Sequence, residues 1–341
     1  MIRIGVICPS EIAFRRFMPA IQQARNFEYV GVAAALYSEW TDSEQYSSNE
    51  STIPTEYEKA QKFADTYGGK IFEGYENMVS SNEIDAVYLP LPPALHFKWA
   101  EKALRNGKHV FVEKPSSTSL LDTTKLVNLA KNNGLALHEN YMFIYHNQLK
   151  AINDIINSGE LGEVRIYRIN FGFPKRDSRD FRYNKLLGGG ALLDAGGYTL
   201  KYASFLLGND GIITTATANY LTDYEVDMYG SATMQNSRGE VAQISFGMDN
   251  DYRCELEIWC SKATLTTNRI LTAPAGFVPT STIKKNQETE TRTLPADDAF
   301  LKSILQFEQC INNAATRIEE YKIIEHQSAL VERFKKLSRM G

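Results

Sequence analysis

The chain has 341 residues, of which 43% are hydrophobic and 23% charged, and its net charge is -4. This is the composition of a soluble globular protein, and the length exceeds one ordinary core, so two domains are expected. The negative balance excludes a general nucleic-acid binder, and no apolar run is long enough to make a membrane helix.

The N-terminus, MIRIGVICPS, has no basic region ahead of a long apolar stretch and reads as a first strand rather than a signal peptide. IRIGVI is strand-like, IAFRRFMPAIQQA helix-like and YVGVAAAL strand-like again. Residues 37–56 are polar and Ser/Thr-rich and predict a long surface loop. YEKAQKFADTYG then predicts a helix stopped by Gly68, followed by the strand AVYLPL. HFKWAEKALRNG predicts a helix closed by Gly107, and HVFVEKP a further strand. LLDTTKLVNLAKNNG and LALHENYM predict another helix and strand. Short apolar strands alternating with capped helices predict a parallel sheet, whose ligands sit at the carboxyl ends of its strands.

Beyond about residue 160 the rhythm changes. VRIYRINFGF is a long strand, a helix follows near 190–207, and ITTATANYL, VDMYGSATMQ, EVAQISFGM and CELEIWCSKATLTT alternate apolar with polar. These predict an antiparallel meander with one open face, closed by two C-terminal helices. The expected fold class is α/β: a Rossmann-type parallel domain over 1–140, and an α+β domain with a mostly antiparallel open sheet over 141–341. The C-terminal helices are free to return to the first domain. The four cysteines, Cys8, Cys254, Cys260 and Cys310, have no CxxC spacing. They point to reduced thiols in a cytoplasmic protein, with no metal site.

Four stretches carry chemistry. In the first turn, GVICPSEIA, Cys8, Ser10 and Ala13 occupy the three places of a dinucleotide glycine fingerprint. Read alone the turn is an ordinary strand–helix connection, with Ser10 free to cap the helix or meet phosphate. After the second strand, Ala34 and Ala35 can neither bind a ribose hydroxyl nor hold the extra phosphate of NADP; Ser38, Arg15 or Arg16 could substitute. Glu113, Lys114 and Pro115 end a parallel strand, which aims Lys114 at the ligand side. Finally, in FRYNKLLGGGALLDAGGY, Asp194 and Tyr198 lie four residues apart on one helical face, and Gly196 and Gly197 let something approach closely. The bland alternative is a backbone cap and a core tyrosine.

Together these stretches resemble the glucose-fructose oxidoreductase / inositol dehydrogenase / rhizopine catabolism (Gfo/Idh/MocA) family. The carriers are EKP after a parallel strand, GGGALLDAGGY, and INSGELGEV between the domains. SEIAFRRFMPAI and FRYNKLLGGGALLDAGGY further resemble NDP-hexose 3-ketoreductases. Those enzymes have Ser-Arg where this chain has Ala34 and Ala35, and a shorter loop after it. The resemblance implies an NAD- or NADP-dependent oxidoreductase that transfers hydride between nicotinamide and a sugar carbon. A keto group on a nucleotide-linked sugar is the expected substrate, with a homo-oligomer formed through the C-terminal sheet. It implies Lys114 and Tyr198 as the catalytic pair. Cofactor contacts are implied at Cys8, Ser10, Glu11, Ile12, Arg16, Leu91, Pro93, His96, Glu113, Lys114, Arg182 and Asp194. Free Lys and Tyr titrate near ~10.4 and ~10, so burial or a nearby cation would have to tune either for proton transfer. Two other readings stay open: a dehydrogenase of a free sugar, cyclitol or dihydrodiol, and a dinucleotide-sensing regulator without turnover.

Overall fold

In the computed structural model, which describes residues 1–40, 52–208 and 210–338, the chain forms two compact units. One comprises Met1–Asn140 with Ser303–Glu325, and the other Tyr141–Lys302 with His326–Gly341. The first unit is therefore not one continuous segment; the chain returns to it after building the second.

The first unit holds β1 (Ile2–Ile7), β2 (Phe27–Ala34), β3 (Lys70–Glu73), β4 (Ala86–Leu89), β5 (His109–Glu113) and β6 (Leu137–Asn140). They pair in parallel in the order β3-β2-β1-β4-β5-β6. The central strands carry runs of Val, Ile and Leu because both faces are covered; all four residues of β4 are buried. Between β1 and β2 a π-helical turn (Ala13–Phe17) leads into α1 (Met18–Ile21). The other helices are α2 (Tyr37–Trp40), α3 (Thr52–Tyr67), α4 (Tyr75–Ser80), α5 (Pro93–Arg105) and α6 (Leu120–Asn133). Local signals set their ends. Ser119 caps α6 by accepting from Asp122 N–H at 3.1 Å, and Gly134 leaves it in the left-handed conformation at φ 65°. Strand order reverses between β1 and β4, which opens a crevice at their carboxyl ends.

The second unit begins with α7 (Asn147–Asn157) and β7 (Val164–Gly172). A π-helical turn (Leu192–Gly196) then enters α8 (Gly197–Leu207), which lies against β7 and β10. Seven strands follow: β8 (Ile212–Tyr220), β9 (Asp227–Gln235), β10 (Val241–Gly247), β11 (Arg253–Cys260), β12 (Thr264–Asn268), β13 (Thr280–Lys285) and β14 (Glu288–Thr293). Their sheet runs β14-β13-β12-β11-β7-β10-β9-β8. Alternate residues of β9 are buried, so one face is core and the other open. The helices α9 (Ala299–Asn312) and α10 (Ala314–Ser338) close the chain.

Several expectations need correcting. The second sheet is mostly antiparallel, as expected, but β10 and β11 are not neighbours: β7 lies between them and pairs with β10 in parallel. CELEIWCSKATLTT is two strands joined by a turn, and the short elements β3, α4, β13 and β14 have no counterpart in the sequence reading. The loop read over 37–56 loses both ends to helix, α2 and the start of α3, while residues 41–51 lie outside the described residues. All four cysteines are free and buried.

Candidate active site

In the first unit, the turn after β1 is tight: Ser10 N–H donates to the Cys8 carbonyl at 2.8 Å. Cys8 takes φ 79°, the left-handed conformation that the fingerprint reserves for glycine. Ser10 caps the helical stretch 11–21, its hydroxyl accepting from Ala13 N–H at 3.2 Å. Glu11 and Ile12 stand exposed on the first turn, Arg15 reaches back to Glu11, and Arg16 is half-buried one turn on. A helix N-terminus at the crevice of a reversed parallel sheet, entered through a left-handed residue, suits a dinucleotide pyrophosphate. The backbone of Cys8, Ser10 and Ile12 would hold it.

Lys114 follows the last residue of β5, and the turn that carries it is held from several sides. Glu113 Oε1 accepts from Tyr88 OH at 2.6 Å and from Asn140 Nδ2 at 2.7 Å. Glu113 and Asn140 are register partners on neighbouring strands, which is why they meet. Burial pushes the Glu113 carboxyl up, while those two donors and the Lys114 charge work in the opposite direction. Ser116 N–H donates to Glu139 Oε1 at 2.7 Å. The Pro115 carbonyl faces His96 Nδ1 at 2.7 Å, and the other ring nitrogen of His96 faces the Leu91 carbonyl at 2.7 Å.

His96 is fully buried, and burial, aided by the Lys114 charge, lowers its pKa to about 4. It clamps two loops together and presents no surface to a ligand. Leu91 and Pro93 are likewise buried at the entry to α5.

Behind Glu113 runs a buried polar chain. Ser303 Oγ donates to Asn140 Oδ1 at 2.8 Å, and His138 Nε2 lies 2.9 Å from Ser303 Oγ. His138 Nδ1 lies 2.9 Å from Glu320 Oε1. The single Ser303 hydrogen is committed to Asn140, so Ser303 accepts from His138 Nε2–H. The other ring nitrogen of His138 faces the Glu320 carboxyl group within the core. His138, Glu320 and Cys310 are the one trio among the described residues with metal-donor atoms clustered, within 4.8 Å of one another. Burial raises the Cys310 thiol, a protonated and poor ligand. The trio reads as a buried histidine–carboxyl contact beside a core thiol.

In the second unit, Arg182 Nε donates to Asp194 Oδ2 at 2.6 Å and its Nη1 to Asp180 at 3.1 Å. Burial opposes the Arg182 charge, but the two carboxylates more than offset it and hold its pKa above the ordinary value. Tyr198 is buried among the rings of Tyr141, Phe171 and Phe143, at centroid distances of 5.3, 5.4 and 5.6 Å. The glycines before it admit the chain's own aromatics: a Cβ on Gly197 would strike the Tyr141 hydroxyl, and one on Gly196 would press on the Phe246 ring. The π-helical turn over Leu192–Gly196 also departs from the ideal spacing by which Asp194 and Tyr198 were placed on one face. Sequence reasoning missed Asn140, Ser303 and His138, whose meeting no local signal announces.

Residues 2–141 match the oxidoreductase family with the NAD-binding Rossmann fold, and residues 149–266 match the GFO/IDH/MocA C-terminal domain. The chain is 38% identical to a dTDP-3,4-didehydro-2,6-dideoxy-alpha-D-glucose 3-reductase of Streptomyces violaceoruber over 92% of this chain and 86% of that one. It is 33% identical to the reductase of the same name from Saccharopolyspora spinosa, over 100% and 98%. Among solved structures, a 3-ketoreductase from Actinomadura kijaniata in complex with NADP and TDP-benzene superposes with a TM-score of 0.89. That match has 33% identity and covers 98% of this chain and 97% of the other. Variants of that ketoreductase with one tyrosine or one lysine replaced match as well. The chain thus belongs to the GFO/IDH/MocA family of NAD(P)-dependent oxidoreductases, with a Rossmann fold at its N-terminus and the family's C-terminal domain after it.

Proposed function

We propose that this protein reduces a keto group on a nucleotide-linked deoxysugar, with Lys114 and Tyr198 handling the proton. The observation that carries the reading is the near full-length identity to reductases named for a dTDP-linked keto sugar. A second supports the pair: the lysine and tyrosine replaced in the ketoreductase variants are separated by the same number of residues as Lys114 and Tyr198.

When bound, the nicotinamide supplies the hydride. The rest falls to this chain. As hydride adds to the carbonyl carbon, the C=O π bond breaks and charge gathers on oxygen. Lys114, on a turn held by Glu113, Glu139 and His96, stabilises that charge. The Tyr198 hydroxyl gives the proton, leaving an alcohol. Ser10 and the backbone of the first turn bind pyrophosphate, with Glu11, Ile12 and Arg16 beside them. Leu91, Pro93 and His96 shape the loop next to Lys114, and Arg182 with Asp194 makes a fixed charge pair for the cofactor. We also propose a homo-oligomer through the open face of the second sheet, where Trp259 and Tyr229 are 49% and 43% exposed. No helix among the described residues is long and apolar enough to cross a membrane.

The test is oxidation of NADH or NADPH by the purified protein with a dTDP-linked 3-keto sugar, against the same sugar without its nucleotide. Turnover with the linked sugar and little with the free one is expected. Turnover only with free sugars or cyclitols would contradict the substrate class, and cofactor binding with no turnover on any of them would favour a sensor. Analytical ultracentrifugation checks the assembly: a monomer at micromolar concentration would contradict it.

A further inference from the structure

A reductase of nucleotide-linked sugars must also hold the group that sets such a sugar apart from a free one, a diphosphate with two negative charges. The chain has a net charge of -4, yet residues 173–185, between β7 and the glycines ahead of Tyr198, gather five cations and two carboxylates. Arg179 pairs with Asp177 at 3.1 Å, and Arg182 with Asp180 and Asp194. Among the described residues Lys175, Arg176 and Lys185 make no ion pair. The charge of Asp249, exposed between β10 and β11, reaches Lys175 without such a contact.

Lys175 and Arg176 are neighbours in the chain and each is seated on a ring. Lys175 Nζ lies 4.9 Å from the centroid of Tyr224, and the Arg176 guanidinium 5.0 Å from that of Phe173. The backbone beneath them is pinned. Arg176 N–H donates to Tyr183 OH at 2.8 Å, Phe173 N–H to the Gly247 carbonyl at 3.2 Å, and Asn250 N–H to the Phe173 carbonyl at 3.2 Å. The Tyr224 hydroxyl takes one of the three ammonium donors of Lys175 and leaves two. Phe173 packs on Phe171 at 6.0 Å between centroids, and Phe171 on Tyr198 at 5.4 Å. The two cations therefore stand at the exposed end of a row of rings whose buried end is Tyr198. We infer that Lys175 and Arg176 bind the diphosphate of the nucleotide-linked sugar while its keto carbon lies at Tyr198. The inference rests on the reading of the substrate as such a sugar and names the residues that recognise it. The planar guanidinium forks two oxygens of one phosphate, the ammonium meets the other, and two cations match two charges. Cations already seated on rings lose less freedom when the ligand arrives.

Calorimetric titration of dTDP into the intact protein saturated with NADH or NADPH tests this without catalysis. The double variant Lys175→Gln with Arg176→Gln is expected to bind dTDP at least about tenfold more weakly than the wild type, with cofactor affinity unmoved. Arg176→Lys keeps the charge and loses the fork, so its affinity for dTDP should fall between the two. It decides the matter if the double variant also loses cofactor: wild-type affinity for dTDP in Arg176→Lys would then overturn the role given to the guanidinium. Equal dTDP affinity in wild type and double variant would overturn the assignment and leave the substrate class standing. No binding of dTDP to the wild type would overturn the reading of the substrate as nucleotide-linked, and this inference with it.

Discussion

Lys114 and Tyr198 are assigned to one proton transfer, yet they are built into opposite surroundings. Lys114 rides a turn fixed by polar contacts, with Glu113, His96 and Glu139 holding the residues on either side. Behind it the chain through Asn140, Ser303 and His138 ends on a carboxylate of α10. Tyr198 packs among aromatic rings, those of Tyr141, Phe143 and Phe171. One placement depends on hydrogen bonds with defined donors, the other on shape. Substitutions at the first should therefore respond to charge and pH, and at the second to ring volume.

The largest break is at Lys114 itself. Lys114→Ala should lower turnover by ~10²–10⁴-fold, the usual worth of a positioned acid–base group, while cofactor affinity changes far less. Steady-state kinetics beside a binding titration checks this; equal losses in both would make Lys114 a binding residue.

The clamp at His96 should show in stability against pH. Its pKa is about 4 in the folded protein and 6.5 as an ordinary histidine, so the unfolded chain binds the extra proton between those values. Stability is complete above pH 6.5 and is lost as pH falls toward 4, by about 3 kcal/mol at most. Thermal melts between pH 7 and 4 should slope less in His96→Asn; an unchanged slope would place the titration elsewhere.

Ser303→Ala cuts the polar chain and strands an acceptor on Asn140 and a donor on His138, which predicts a loss of about 2 kcal/mol by denaturant unfolding. The pH profile of turnover should shift with it, because Glu113 loses its ordered partner. A stability loss with an unmoved profile would reduce the chain to scaffolding.

The smallest effect is expected at Ser10. Ser10→Ala should weaken cofactor binding by about 0.5–1.5 kcal/mol, one hydrogen bond, as read by calorimetry. Unchanged affinity would leave Ser10 as the helix cap it also is.

The same contrast explains what the sequence could tell. The position of Lys114 was legible because a charged residue ending a run such as HVFV in an alternating β/α pattern falls at the ligand side. The helix stops at Gly68 and Gly107 were legible because each takes positive φ. β3 was not, being four residues with both ends exposed, nor was β14, whose ETETRT is polar throughout its length. The meeting of Asn140 with Ser303 spans 163 positions and leaves no local trace. Gly196 and Gly197 signalled a close approach, but not that the approaching groups are Phe246 and Tyr141.

Single-turnover hydride transfer in the wild type, Lys114→Ala, Tyr198→Phe and the double variant tests the shared proton most directly. Cofactor and sugar are held saturating, and nicotinamide absorbance is followed through one turnover. Tyr198→Phe keeps the ring in its aromatic setting and removes only the hydroxyl. Slower transfer is predicted in both single variants, with the double variant falling short of the product of the two losses, as for groups that act as a unit. Wild-type rates in all four proteins would contradict the assignment and make both residues structural.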